Sequence, residues 1–345
     1  MWEGGAILKK YTISDVAEML GVSRATVSRA MNNSPGVSND LRNKINTFID
    51  EIGYKPNSLA RGLSKGSSSI VGLILGDVRN PFYADLAFYI QKILNNNGYM
   101  VMVFNSEYDS NKEIEFIQHA VHSNFAGLFL ITAQTDGIKD SLERLDIPLV
   151  LVNRIIDSFE ANSVLLDNFK AGYIATMHLI ELGHPQIAFI GGQATSFTAR
   201  QRFDGYRQAL KNYNIQFDEN YVFNSDLKLE TGYELAKEYI SKLDGAPKAI
   251  VIVNDMTAIG FMEYCRMVNI HIPEDISIVS FDNISISSLY DIQLTTVSQH
   301  VFEMSEHAVR LMLKLLKNPN AKAERIILDP TLVVRNTTAK YNNSF

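Results

Sequence analysis

The sequence predicts an α/β protein in two parts: an N-terminal three-helix unit, then a two-lobed core built on two parallel sheets. Three observations predict it. Two short amphipathic helices joined by a tight turn are written between Thr12 and Asn32. A polar stretch of linker composition, Ser64-Lys65-Gly66-Ser67-Ser68-Ser69, follows this unit. Beyond the linker, short apolar runs alternate with helical stretches often enough for two sheets flanked by helices.

Composition bounds the possibilities. A chain of 345 residues suggests two or three domains, and 46% hydrophobic with 20% charged residues is that of a soluble globular protein. The net charge of -6 argues against indiscriminate coating of nucleic acid. The charge is uneven, however. Residues 1–66 hold nine Lys and Arg against six Asp and Glu, so they are net +3 and the remainder is net -9. A small basic part on a large acidic part fits one region that touches phosphate and another that does not. Cys265 is the single cysteine, which excludes an intrachain disulfide and suits a reducing compartment. No apolar run approaches the 18 residues of a membrane span, and Ala6-Ile7-Leu8 is too short for a signal-peptide core. A cytoplasmic protein without membrane contact is expected. Residues 1–10 carry no pattern and are expected to form a disordered extension.

The unit of residues 11–56 begins at Thr12, which suits a helix N-cap, with Asp15 near the positive end of the helix dipole. Val16, Met19 and Leu20 recur at helical spacing, and Gly21 suits the left-handed residue that ends the helix. Ser23 caps a second helix, whose Val27 and Met31 face the first. Arg24, Ala25, Ser28, Arg29 and Asn32 then point outward. Small residues beside forked donors suit the DNA major groove, where arginine pairs with guanine and asparagine with adenine. An ordinary helical hairpin with a solvated face shares this pattern. After the loop Asn33-Ser34-Pro35-Gly36, Ser38 caps a third helix. Leu41, Ile45, Phe48, Ile49 and Ile52 form its apolar stripe, and Gly53 closes it.

Residues 57–69 read as a short helical segment and linker, and the core spans 70–345. Ile70–Leu75 is an apolar run typical of a strand buried on both faces. Further strand-like runs are Met100–Phe104, Gly127–Ile131, Pro148–Val152, Gln186–Ile190, Ala249–Val253 and Ile276–Ser280. Helical stretches lie near Tyr83–Asn95, Lys112–His122, Lys170–Leu182, Ala199–Tyr213, Thr231–Leu243 and Asp255–Met267. Ligands bind beyond the carboxyl ends of such strands, which places a cleft between the lobes. Asp77, Asn80, Asn153, Arg154, Asn254 and Asp282 follow strand ends, and Arg200 lies at the start of a helix after a strand. Asp, Asn and Arg supply the planar, charge-assisted partners that paired sugar hydroxyls need. Phe82, Tyr83 and Phe197 offer flat apolar faces. Taken singly, Asp77, Asn153 and Asn254 are equally well read as helix caps.

Several tempting signals fail. Gly62-Leu63-Ser64-Lys65-Gly66 matches a hydrolase nucleophile pattern, but the strand and helix around it come in the wrong order. Gly191-Gly192 lacks the remaining residues of a phosphate loop. His119 and His122 have no further ligand nearby for a metal, and His178 and His184 read as structural. No cofactor fingerprint or acid–base set appears, so neither an enzyme nor a cofactor or metal requirement is expected.

The run from Thr12 to Leu63 resembles the DNA-binding headpiece of the lactose-repressor (LacI) family. The residues that carry the resemblance are Thr12, Asp15-Val16-Ala17, Gly21-Val22-Ser23, Thr26-Val27-Ser28-Arg29, Val37-Ser38, Gly53-Tyr54-Lys55-Pro56-Asn57 and Ala60-Arg61-Gly62-Leu63. It continues through Asp77, Asn80-Pro81-Phe82-Tyr83, Asn153-Arg154, Val164-Leu165-Leu166-Asp167-Asn168, Leu182-Gly183-His184, Ile187 to Gly192, Arg200 before Phe203-Asp204-Gly205-Tyr206, Asn254-Asp255, Phe281-Asp282-Asn283 and Leu294-Thr295-Thr296-Val297. The resemblance implies a core similar to periplasmic sugar-binding proteins. It implies a regulator that binds palindromic operator DNA as a homodimer, since one headpiece reads too few base pairs to select a site alone, and that represses under control of a sugar-like effector. It adds Thr12, Ser23, Thr26, Ser38, Tyr54, Asn57 and Ala60 to the DNA-binding residues. It makes Leu63 a wedge in the minor groove, at the end of a hinge helix that orders on the operator. A regulator of the same family controlled mainly by a protein partner, as in catabolite control proteins, is the alternative. One departure stands out: several family members place an aromatic after the position of Asp226, where this chain has Leu227.

Overall fold

The computed structural model describes residues 11–31, 33–54, 68–131, 137–156, 159–193, 196–241 and 246–342. Asn32, Asn57, Ala60 and Leu63 lie outside the described residues, as do the extension 1–10 and most of the hinge segment. The chain divides into two compact units, Met1–Ser69 and Ile70–Phe345.

In the first unit, α1 (Ile13–Met19) opens on a reciprocal cap: the Asp15 amide donates to Thr12 Oγ1 at 3.3 Å and the Thr12 amide to Asp15 Oδ2 at 2.7 Å. Gly21 is left-handed, with φ of 64°. The Thr26 amide donates to Ser23 Oγ at 3.0 Å and starts α2 (Arg24–Met31). The Leu41 amide donates to Ser38 Oγ and starts α3 (Asn39–Glu51). Val16, Ala17, Val27, Ala30, Ile45 and Ile49 are buried together. Met19 departs from its expected place: it is 50% exposed, because the two-turn helix buries the Val16–Ala17 side and leaves Met19 at the stripe's edge.

The second unit alternates as α/β folds do. Its first half runs β1 (Ile70–Leu75), α4 (Pro81–Asn96), β2 (Met100–Asn105), α5 (Ser110–His122), β3 (Gly127–Leu130), α6 (Lys139–Glu143), β4 (Leu149–Val152) and β5 (Asn162–Leu166). Next come α7 (Asn168–Glu181), β6 (Ala188–Gly191), α8 (Phe197–Asn212), β7 (Val222–Asn224), α9 (Leu229–Ile240), β8 (Ala249–Ile252), α10 (Asp255–Met267), β9 (Ser277–Asp282) and β10 (Thr295–Ser298). The chain ends with α11 (Val301–Lys317), β11 (Arg325–Leu328) and β12 (Thr331–Val333).

One sheet has the order β11-β5-β4-β3-β1-β2 and the other β12-β10-β9-β8-β6-β7. Every pairing is parallel except β10 with β12. The central strands, β1 and β9 among them, are buried on both faces, as their unbroken apolar character requires. The chain passes between the two sheets after β5, after β10 and after β11. Helix α11 returns to the first lobe, where it packs on α4, β4 and β5.

Helices of the second lobe pack in pairs through glycine. A Cβ at Gly172 would fall on the Arg202 carbonyl oxygen, and one at Gly205 on the Phe169 carbonyl oxygen. The α7–α8 contact therefore brings backbone against backbone and sets the depth at which Arg202 enters the core. Gly232 and Gly260 do the same for α9 and α10 against Thr257 and Leu229. Among the described residues no helix is long and apolar enough to cross a membrane.

Candidate functional site

A cleft opens between the lobes. Its floor is a closed polar ring built at the crossing segments. Asn153, the first residue past β4, donates through Nδ2 to Gln299 Oε1 at 2.6 Å. Gln299, the first residue past β10, donates through Nε2 to Asp282 Oδ1 at 2.5 Å. Asp282 Oδ1 lies 4.0 Å from Arg202 Nη1. Arg202 Nε donates to Asn168 Oδ1 at 3.0 Å, and Asn168 Nδ2 to Asn153 Oδ1 at 3.2 Å. The ring joins both lobes to two of the three crossing segments. Arg202 also donates through Nη1 to the Val253 carbonyl at 2.7 Å, and its guanidinium lies 4.5 Å from the Phe281 ring centre.

The walls are amphipathic. Phe82, Tyr83 and Tyr108 come from the first lobe, and Ala199, Leu227 and Val253 from the second. Asn80, Asn153, Asn254 and Asp282 line the cleft as the sequence suggests. Two of them also cap helices: the Phe82 amide donates to Asn80 Oδ1, and the Thr257 amide to Asn254 Oδ1, each at 3.0 Å. Tyr108, Asn153, Leu227 and Asp282 all line the cleft with positive φ, at 61°, 51°, 72° and 113°. Left-handed non-glycine residues of this kind cost about 1–3 kcal/mol each and gather where function needs them.

Four expected residues sit elsewhere. Arg200 is exposed on α8 and outside the cleft, which Arg202 enters in its place. Helical residues two positions apart in sequence are about 200° apart around the axis. Ala199, Arg202, Tyr206 and Ala209 share the buried face, so Arg200 belongs to the opposite one. Phe197, at the first position of the same helix, is half-buried and does not line the cleft. Asp77 turns away to Arg79, with Nη2–Oδ2 at 2.7 Å and Nε–Oδ1 at 3.0 Å. This partner holds the Asp77 carboxyl below its usual range. Arg154 points to the other side of the chain from Asn153 and is buried against Glu113 of α5 at 3.1 Å. Tyr108, Arg202, Asp226, Leu227 and Gln299 also line the cleft and were not among the expected residues. The spacing of Ala199, Tyr206, Ala209 and Leu210 carried the signal for Arg202.

Burial pushes the Asp282 carboxyl up to about 7, against the opposing pull of Arg202. Burial likewise lowers the Arg202 guanidinium. At Asp226, burial acts to raise the carboxyl, but hydrogen bonds from Lys228 and Thr231 outweigh it and hold the group below its usual range. The Asp282 shift has a measurable sign. A carboxyl that keeps its proton in the fold to about pH 7, yet loses it near 3.8 when unfolded, stabilises most at low pH. That contribution is lost as pH rises through this window. The melting temperature of wild type relative to Asp282→Asn is expected to fall between about pH 4 and pH 7. A pH-independent difference would contradict the shift.

In the first unit, Arg24, Ala25 and Arg29 are exposed on α2, and Thr26 and Ser28 are half-exposed. Thr12, Ser23 and Ser38 are exposed and use their hydroxyls as caps, while Tyr54 is half-buried. Arg42 Nη2 donates to the Ser34 carbonyl at 2.8 Å and fastens the loop after α2. The arrangement can present forked donors to a base edge from a helix held rigidly beneath.

Two family profiles match. The one for bacterial regulatory proteins, lacI family, covers residues 12–57, and one for a periplasmic binding protein-like domain covers residues 176–338. The chain is 31% identical to the HTH-type transcriptional regulator DegA of Bacillus subtilis (strain 168) over 337 residues, 96% of this chain and 99% of the relative. A crystal structure of the lac repressor dimer bound to operator and the anti-inducer ONPF matches with a TM-score of 0.84 and 26% identity. That match covers 96% of this chain and 100% of the other. A LacI family transcriptional regulator from Enterococcus faecium with bound ribose matches with a TM-score of 0.69 and 27% identity, over 79% of this chain and 100% of that one. This protein belongs to the lacI family of bacterial regulatory proteins, and it is a transcriptional regulator with a helix-turn-helix unit and a periplasmic-binding-protein-like core, not an enzyme.

Proposed function

We propose that the protein is a repressor that binds a palindromic operator as a homodimer and answers to a small, sugar-like ligand in the cleft between its core lobes. The observation that carries the ligand reading is the cleft itself. Its floor presents Arg202 and Asp282 for paired hydroxyls, and its walls are aromatic and aliphatic. The match to a relative with bound ribose agrees. A ligand at 100 times its dissociation constant stabilises the fold by about 2.7 kcal/mol, so a thermal-shift screen of sugars and purines tests this reading. A screen in which purines alone respond would replace it.

One headpiece reads too few base pairs to select a genomic site, which favours two acting together. The core exposes large apolar side chains that a second copy would cover: Phe88 at 56%, Phe302 at 52% and Tyr290 at 92%. Selection of operators from a random library by the full chain is expected to enrich two-fold symmetric sites. Asymmetric sites would oppose the dimer. Arg29→Ala is expected to cost about 1–3 kcal/mol in binding and to relax the choice at one base pair of each half-site. An unaltered preferred sequence would remove Arg29 from direct readout. Leu63→Ala belongs in the same assay, where unchanged affinity would make the hinge a plain tether.

A further inference from the structure

Between β2 and α5 the backbone passes through two successive left-handed residues, Glu107 with φ of 55° and Tyr108 with φ of 61°. Neither is a glycine, so the turn is strained. Helix α5 does not require this strain for its cap, which Asp109 supplies by accepting from the Asn111 amide at 2.8 Å. The turn is held in place from both ends. The Glu107 amide donates to the Gly76 carbonyl at 2.7 Å, and Lys112 pairs with the Glu107 carboxylate at 2.7 Å.

What the strain accomplishes is the position of one ring. Tyr108 lies over Gly76 so closely that a Cβ there would overlap the ring. It meets Tyr83 edge-on, with centres 6.1 Å apart. Burial raises both phenols far above their usual range, so they stay neutral. Tyr108 lines the cleft, and Leu227 and Val253 line it from the second lobe.

The charges around the cleft are matched once Asp282 is ionised, above about pH 7. Arg202 faces Asp282 at 4.0 Å, and Asp226 pairs with Lys228 at 2.7 Å. A neutral ligand leaves this balance intact.

We propose that Tyr108 is a specificity-determining residue of the effector site. Its ring takes the apolar face of a neutral sugar whose hydroxyls bond to Arg202 and Asp282. This rests on the sugar reading of the cleft and adds the residue that selects among sugars.

The test is calorimetry of the full chain with D-ribose, D-xylose, D-glucose, D-galactose and cellobiose, on wild type and three variants. Tyr108→Gly removes the ring and relieves the left-handed strain. Losing the packed ring is expected to lower its melting temperature, and the variant is expected to bind the responding sugar at least roughly tenfold more weakly. Tyr108→Phe keeps the ring and is expected to stay within about threefold of wild type. Tyr108→Leu keeps bulk but loses the flat face, and it decides the matter if the glycine variant does not fold. Its affinity is expected to fall with that of the glycine variant. A glycine or leucine variant that binds the same sugar as tightly as wild type overturns the proposal and leaves the sugar reading standing. A glycine variant that melts several degrees lower with binding intact makes Tyr108 a structural prop and overturns it too. A wild-type chain that binds none of the five sugars overturns the sugar reading, and the proposal falls with it.

Discussion

Arg202→Ala is expected to abolish the response to the cleft's ligand and, above about pH 7 where Asp282 is ionised, to destabilise the core by about 3–5 kcal/mol, the cost of breaking a buried ion pair. The residue is 5% exposed and its side chain serves four neighbours: Asn168, the Val253 carbonyl, Asp282 and the face of Phe281. Its loss opens the polar ring on the floor and leaves Asp282 buried without its cation. Lysine is no substitute, because a single ammonium cannot reach Asn168 and Val253 in the fork geometry of guanidinium. Arg200→Ala, two residues away on the exposed face, is expected to stay within about 0.5 kcal/mol of wild type and to leave the response unchanged. Thermal melting with and without the responding ligand reads both effects. A normal response in Arg202→Ala beside a lost one in Arg200→Ala would invert the assignment of the α8 faces.

Asp255→Ala is expected to destabilise the second lobe by roughly 4 kcal/mol or more without touching the cleft wall. Asp255 is fully buried at the first position of α10. Its carboxylate accepts from Thr296 Oγ1 and Ser287 Oγ, each at 2.6 Å, from the Ile284 amide at 2.9 Å, and from Ser280 Oγ. These donors tie β9, β10 and the turn between them to the helix. Each buried donor left without an acceptor costs about 1–3 kcal/mol. Burial pushes the carboxyl up while the four donors pull it back. Chemical denaturation of the full chain measures the loss. A variant within 1 kcal/mol of wild type, an interval set by a typical single hydrogen bond, would show the donors finding partners elsewhere.

The order of elements was legible because it depends on neighbours in sequence. The apolar runs of Ile70–Leu75 and Ala249–Ile252 can only be doubly buried strands, and Thr12, Ser23 and Ser38 announce three helix starts. The strands Asn162–Leu166, Val222–Asn224, Thr295–Ser298, Arg325–Leu328 and Thr331–Val333 were not read as strands. They are short, and several mix polar with apolar residues, so their strand character comes from the partners they pair with. Helix α11 was legible and passed over: Met304, Ala308, Leu311, Met312 and Leu315 repeat at helical spacing.

The cleft divides along the same line. The sequence by itself determined that polar residues past strand ends would converge, and Asn80, Asn153, Asn254 and Asp282 do so because strand termini share one edge of each sheet. It also determined the outward face of α2, by placing Val27 and Met31 on the opposite side, where Val27 and Ala30 are buried. Helical spacing places Arg202, and not Arg200, on the apolar face of α8, but only the tertiary structure decided that this face reaches the floor. That choice depends on which face of α8 meets α7, and the contact is made where Gly172 and Gly205 let the backbones touch. Only the tertiary structure brought Gln299 to Asn153 across 146 positions of chain. No local pattern encodes that meeting, because it arises where the chain crosses from one lobe to the other, and crossing is a property of the folded sheets.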